Sequence, residues 1–253
     1  MSLAGRLAGR LSGSLAGALA GSGASAPSLD DLGAALLYHW EVPASSSPLI
    51  TLNAGNVSQL NDRVGSAHMI QGTAAVQPQY NSSGGPNDAP YITLQAVGRF
   101  LAATISIAAA NRAGLYVVAR QVAGAATRTL ATTAAGGTLG HRVRHALSNQ
   151  FSHVARFTGG EQVVTATTPA FDTNWHLCAI RPLASGALAQ VDGVTTSPNF
   201  TGTDTMIALD TARIGDASTA AGDLASMVIV DNPTDDLDTI VRAYVASVYG
   251  LSV

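Results

Sequence analysis

Paired carboxylates are the usual machinery for cutting a glycosidic bond, and a retaining hydrolase needs two about 5–5.5 Å apart. The chain has two glutamates, Glu41 and Glu161, and neither has an acidic neighbour in sequence. No stretch that reads as a strand carries two carboxylates at i and i+2, so hydrolysis by that mechanism is not expected. The single cysteine, Cys178, sits at an alternate position of an apolar run, where a thiol is usually structural. One cysteine also excludes an intramolecular disulfide and a cysteine-based zinc site. There is no G-x-S-x-G elbow for an activated serine. There is no glycine-rich loop with lysine for a phosphate, and no lysine at all.

The densest basic cluster is His141-Arg142-Val143-Arg144-His145, followed by His153 and Arg156. On a strand, His141, Val143 and His145 face one way, and Arg142 and Arg144 the other. Arg142, Arg144, His145 and Arg156 are therefore candidate contacts for an acidic surface or an anionic glycan. The competing reading is a solvated strand face. His141 and His145 would stand about 13 Å apart on a regular strand, too far to share one metal ion. Trp40 and Trp175 are candidate sugar-stacking platforms, but both fall in strand-like runs where core packing is the expected role. Asp192, Asp204, Asp210, Asp216 and Asp223 could offer oxygen ligands to calcium, yet their spacing matches no specific calcium loop. No cofactor is expected.

The elements that must position these groups are short strands. The chain has 253 residues, 47% hydrophobic and only 11% charged, with a net charge of −3. Average soluble proteins are about 25% charged, so the surface here is built of small and polar uncharged residues. Disorder does not fit so apolar a chain, and so weak a charge gives no steering towards nucleic acid. No apolar run of about 18 residues exists to cross a membrane as a helix. Strand-like runs occur at Leu36–Trp40, Tyr91–Leu94, Gly114–Arg120, His141–Leu147, Ser152–Phe157, Trp175–Ile180, Ala187–Val191 and Ala225–Val230. Ser185-Gly186 reads as a hairpin turn, and Asp192-Gly193 as another. The end reads as a helix: Thr234 caps it, and Asp235, Asp236 and Asp238 oppose its dipole. Leu237, Ile240, Val241, Tyr244, Val245 and Val248 follow helical spacing, and Gly250 stops it.

The first 22 residues are a tetrapeptide repeat. Leu3, Leu7, Leu11, Leu15 and Leu19 recur every four residues, each followed two places on by glycine, with Arg6 and Arg10 between repeats. Three readings compete. One is a secretion signal ending near Ala24-Ser25-Ala26, although glycines dilute its apolar stretch. Another is a disordered tail. The third, and the expectation carried forward, is an anchoring arm. On a helix the glycines would form a smooth strip for a close-packing backbone, with the leucines beside it drifting about 40° per repeat. Five glycines make such a helix unstable alone, so order would require a partner.

The segment Leu36-Leu37-Tyr38-His39-Trp40 resembles the opening strand of concanavalin A-like lectin/glucanase domains of the laminin-G-like type. Val57 to Gly65, Gln77-Pro78-Gln79-Tyr80 and Asn87 to Ile92 resemble the stretches that follow there. Trp175-His176 with Val191-Asp192-Gly193 resembles a later hairpin, Arg213-Ile214-Gly215 a later strand, and Val248-Tyr249-Gly250-Leu251 the close. Leu60 and Val64 depart from the Trp and Ser usual at their places. The resemblance implies an all-β, concanavalin A-like jelly-roll sandwich over residues 29–253, with a short C-terminal helix, behind an arm and linker over 1–28. It also implies a type of domain common in phage and bacterial surface proteins. The functional expectation is a non-enzymatic structural protein of a phage virion, in a capsid decoration or tail. Residues 1–22 would bind other particle proteins, and the chain would form a homo-oligomer. The alternatives are a glycan-binding attachment module and an accessory domain of a secreted glycosidase.

Overall fold

The computed structural model describes residues 26–253, except 95–97, 110–111, 123–126, 137, 146–149, 167–171, 185, 197–199, 201–205 and 217–220. The Leu/Gly repeat, with Leu3, Arg6, Leu7, Arg10, Leu11, Leu15 and Leu19, lies outside the described residues.

Two antiparallel layers pack face to face. The first is built on β17 (Asp223–Val230) and β8 (Gly114–Arg120), paired from Asp223↔Arg120 to Val230↔Gly114. The other edge of β17 is shared. β1 (Leu36–Glu41) takes its C-terminal part, and β6 (Tyr91–Thr93) takes Asp223 and Leu224. β5 (Gln79–Asn81) extends β6. On the far side β8 continues into β13 (His176–Pro182), β14 (Ala187–Val191) and β15 (Val194–Thr195). The Asp192-Gly193 turn between the last two has positive φ at both residues, 50° and 74°, as a tight hairpin requires.

The second layer runs in the order β2 (Ile50–Asn53), β3 (Asn56–Leu60), β4 (Met69–Ile70), β7 (Phe100–Ile107) and β16 (Leu209–Gly215), then β9 (Arg128–Ala135), β10 (Thr138–His145), β11 (Phe151–Phe157) and β12 (Gly160–Ala166). The layers are joined where β3 meets β5, at the pair Asn56↔Gln79.

Alternation decides which side chains fill the space between them. Leu115, Val117 and Ala119 of β8 meet Leu101, Ala103, Ile105 and Ile107 of β7 in one core with Trp40, Met227 and Ile229. Burying each large side chain there stabilises the fold by about 1.5–3 kcal/mol. The intervening residues of the first layer, Tyr116, Val118, Leu177, Ala179, Val228 and Val230, are buried too. They pack under α1 (Asp235–Tyr249), whose inward face is Val241, Tyr244, Val245 and Tyr249. With both faces covered, β8 and β17 read as unbroken apolar runs. The helix starts as expected, with the Leu237 N–H donating to Thr234 Oγ1 at 3.3 Å, and ends at Gly250 with φ 66°. Beneath it, buried Asp238 forms ion pairs with Arg181 of β13, which ties helix to sheet, and with Arg242 one turn further along the helix. The chain thus forms the expected all-β jelly-roll sandwich with one C-terminal helix. Among the described residues no helix is long and apolar enough to cross a membrane.

Candidate functional site

β10 alternates as expected. His141 and Val143 are buried towards the core, while Arg142 and Arg144 turn to the outer face of the second layer. Register then adds a partner that local spacing could not reveal. Arg142 pairs with Val154 on one side and Thr132 on the other, and Thr132 pairs with Arg213 of β16. One line across four strands therefore carries Arg213, Thr132, Arg142 and Val154. Arg213 and Arg142 stand two strands apart, about 10 Å, and Arg144 is about 7 Å along from Arg142. Arg156 shares the face, because it and Val154 are two apart on β11.

These guanidiniums are only partly matched. Arg142 pairs with Glu161, and Arg144 Nη2 donates to Ser152 Oγ at 3.0 Å. Arg213 lies with its guanidinium carbon 5.9 Å from the Phe100 ring centroid. The Nε atoms of Arg142, Arg144 and Arg213 are buried with no hydrogen-bond partner. Burial, and next the Arg142 charge, hold the Arg144 guanidinium below its ordinary range, while Glu161 acts the other way. Like charges on neighbouring strand positions destabilise a sheet. Elsewhere each buried or half-buried guanidinium that holds an ion pair has a local carboxylate: Arg120 has Asp223, and Arg181 and Arg242 have Asp238. On this face, among the described residues, four arginines meet the carboxylate of Glu161.

The remaining candidates separate. The His145 side chain lies outside the described residues. The calcium candidates do not converge. Asp192 holds His176 and the Leu177 N–H, Asp210 holds the Gly136 N–H, and Asp223 holds Arg120 and Thr93. Asp204 lies outside the described residues. Among the described residues no three His, Cys, Asp or Glu side chains gather as a metal would need. Cys178 is fully buried, and burial pushes its thiol well up, so it is unreactive. Trp40 is wholly buried between the layers, its Nε1 donating to the Ala67 carbonyl at 2.8 Å. Trp175 also packs against a core, the second one, on the helix side of the first layer. It shares the parity of Leu177, so it lies on the outer face of the first layer. There it stands edge-on to Tyr91 at 5.5 Å, with Arg120 4.8 Å from its ring centroid.

The sequence matches no protein-family model and no curated protein. Solved structures of similar fold do exist. Trypanosoma rangeli sialidase in complex with the inhibitor DANA superposes with a TM-score of 0.58 at 11% identity, over 88% of this chain and 34% of that one. The same sialidase in complex with sialic acid gives 0.56 at 12% identity, over 90% and 34%. A mutant of it displaying trans-sialidase activity gives 0.53 at 10% identity, over 84% and 33%. This chain therefore spans about a third of the length of those sialidases. At such identities the likeness shows a shared fold: a β-sandwich of a kind that sialidases contain.

Two expectations are corrected by this finding. The first is that of a structural protein of a phage virion. The neighbours are sialidases instead, and nothing in the match points to a capsid, a tail or another particle. The flat expectation that the chain is not an enzyme falls with it, because the fold it adopts is one found within enzymes. The physical reason is that missing paired carboxylates speak to one hydrolytic mechanism only, and a sandwich of this kind also occurs as one part of a larger enzyme.

Proposed function

We propose that this chain is a glycan-binding sandwich domain, of the kind that accompanies a glycosidase and works outside the cell. It holds an anionic glycan against the face formed by Arg142, Arg144, Arg156 and Arg213. The observation that supports this reading is the imbalance on that face, where, among the described residues, four guanidiniums share the carboxylate of Glu161. A bound anion would accept from the Nη atoms of these arginines, and Arg is suited to planar, two-pronged contact with carboxylate or sulfate groups. The likeness to sialidases supports a glycan over other anions, since one of those sialidases is seen in complex with sialic acid.

The test is a glycan array of sialylated, sulfated and neutral oligosaccharides, followed by calorimetry on the strongest binder. Wild type is expected to select acidic glycans. Arg142→Gln and Arg213→Gln are each expected to weaken binding by about 10- to 100-fold, the loss of one charge-assisted hydrogen bond of about 1.5–3 kcal/mol. Binding should also weaken as salt rises. Equal affinity for neutral and acidic glycans, or full affinity in the Arg142→Gln/Arg213→Gln double variant, would overturn the reading.

A further inference from the structure

The opposite side of the sandwich carries a second polar concavity. It lies on the outer face of the first layer, beyond the part that α1 covers, and has a volume of about 450 Å³. That is within the roughly 300–1,000 Å³ of small-ligand pockets. Gln79 and Asn81 of β5, Tyr91 of β6, Arg120 and Gln121 at the end of β8, and Asp223 of β17 line it. Their convergence follows from register, because Asp223 pairs with Arg120 on one side and Thr93 on the other, and Thr93 pairs with Gln79.

Its polar groups form a fixed frame with a few atoms left open. Arg120 Nε donates to Asp223 Oδ2 at 2.8 Å, and Thr93 Oγ1 donates to Asp223 Oδ1 at 2.7 Å. Asn81 Nδ2 donates in turn to Thr93 Oγ1 at 2.9 Å. The guanidinium carbon lies 5.2 Å from the Tyr91 ring centroid and 4.8 Å from that of Trp175. Arg120 is thus immobilised through Nε and by two aromatic rings, while its Nη edge makes no hydrogen bond among the described residues. Gln121 is 5% exposed, and its side-chain oxygen has no hydrogen-bond partner. A buried amide oxygen without a partner costs about 1–3 kcal/mol. A ligand hydroxyl would accept from the Arg120 Nη edge, and a rotation of the Gln121 side chain, which lines the cleft, would turn its oxygen to a second hydroxyl.

We propose that this cleft is a second saccharide site and takes one uncharged pyranose unit. Hydroxyls both donate and accept, and the cleft offers fixed donors and acceptors side by side. Its one cation and one anion cancel, so nothing in the lining favours a charged ligand. Because Arg120 is already held, binding would cost little side-chain entropy. The proposal rests on reading the domain as glycan-binding but uses none of the arginine-face residues.

The test is saturation-transfer NMR on the full chain with the methyl glycosides of glucose, galactose, mannose and N-acetylglucosamine, with methyl glucuronide as the charged comparison. At least one neutral glycoside is expected to bind at millimolar concentration and to shift the Trp175 fluorescence, since Trp40 is sealed in the core. Asn81→Ala is expected to weaken it by about tenfold or more. Gln79→Ala, at an exposed position that leaves the Asp223 frame intact, is expected to weaken it by several-fold. Arg142→Gln should leave it unchanged. Absence of transfer to all four neutral glycosides, binding that survives the Gln79→Ala/Asn81→Ala pair, or a tenfold preference for the glucuronide would each overturn the proposal. Acidic-glycan binding lost only in the Arg142 and Arg213 variants would show that the first site stands whatever happens here.

Discussion

Lowering the pH from 7 to 5 is expected to remove much of this fold's stability, through three histidines held neutral inside it. His39, His141 and His153 are all buried. Burial, and next the Arg63 charge, lower the pKa of His39 to about 3. Burial lowers His141 to about 4 and holds His153 well below its ordinary value. An unfolded chain protonates each near pH 6.5. Between pH 6.5 and 5 the unfolded state therefore binds up to three more protons than the folded one, so stability falls as pH falls. Integrating the linkage relation gives about 2 kcal/mol each for His39 and His141 from pH 7 to 5, or about 4 kcal/mol together, and His153 adds to the loss in the same direction. That is a large part of the whole stability of an ordinary domain, about 5–15 kcal/mol. His176 works in the other direction. Burial opposes its charge, but hydrogen bonds and charge from Asp192 and Asp172 outweigh that and raise its pKa. Its contribution is full below the unfolded pKa and is lost as pH rises through the folded one, so it offsets part of the loss on acidification. Urea unfolding at several pH values between 7 and 5 reads the sum. His153→Leu removes one buried titrating group and should shrink the acid loss. A wild type that loses under about 2 kcal/mol over this range, or a His153→Leu variant with an unchanged pH slope, would refute the reasoning.

Two further outcomes separate fold-holding charges from the rest. Asp238→Asn should cost about 1–3 kcal/mol, seen as a lower urea midpoint, because it removes the buried carboxylate between Arg181 and Arg242 while Asp235 still pairs with Arg181. Arg213→Gln should leave the urea midpoint within about 0.5 kcal/mol of wild type or raise it, because it relieves like-charge crowding and breaks no ion pair.

What was legible in the sequence was local. Leu36–Glu41 and the helix from Asp235 declare themselves by period and caps, and the hairpin turns by residue type. The arginine face was half legible. Alternation on β10 separates Arg142 and Arg144 from His141, but only register brings Arg213 beside them, from a strand about 70 residues further along. Trp175 shows a different limit. Its parity relative to Cys178 already puts it on the opposite face from the main core. Opposite implied solvent only for a sheet covered on one side, and here α1 and a second core cover part of the other side as well. The cleft was not legible at all, since Gln79, Arg120 and Asp223 come from three distant segments.

The distribution of ion pairs explains how so weakly charged a chain can hold both a rigid frame and an electropositive face. Asp238 joins two arginines under the helix, Asp223 fixes Arg120, and Glu41 meets Arg63 at the end of β1. All but the Asp238–Arg242 pair, which lies within the helix, tie together segments far apart in sequence. Glu161 serves the outer face of the second layer, where it sits opposite Arg156 in register while pairing with Arg142. The excess positive charge there therefore survives a net charge of −3 on the whole chain. Because the field of an exposed charge decays within about 10 Å in ordinary salt, it is this local excess, and not the overall balance, that an approaching ligand would meet.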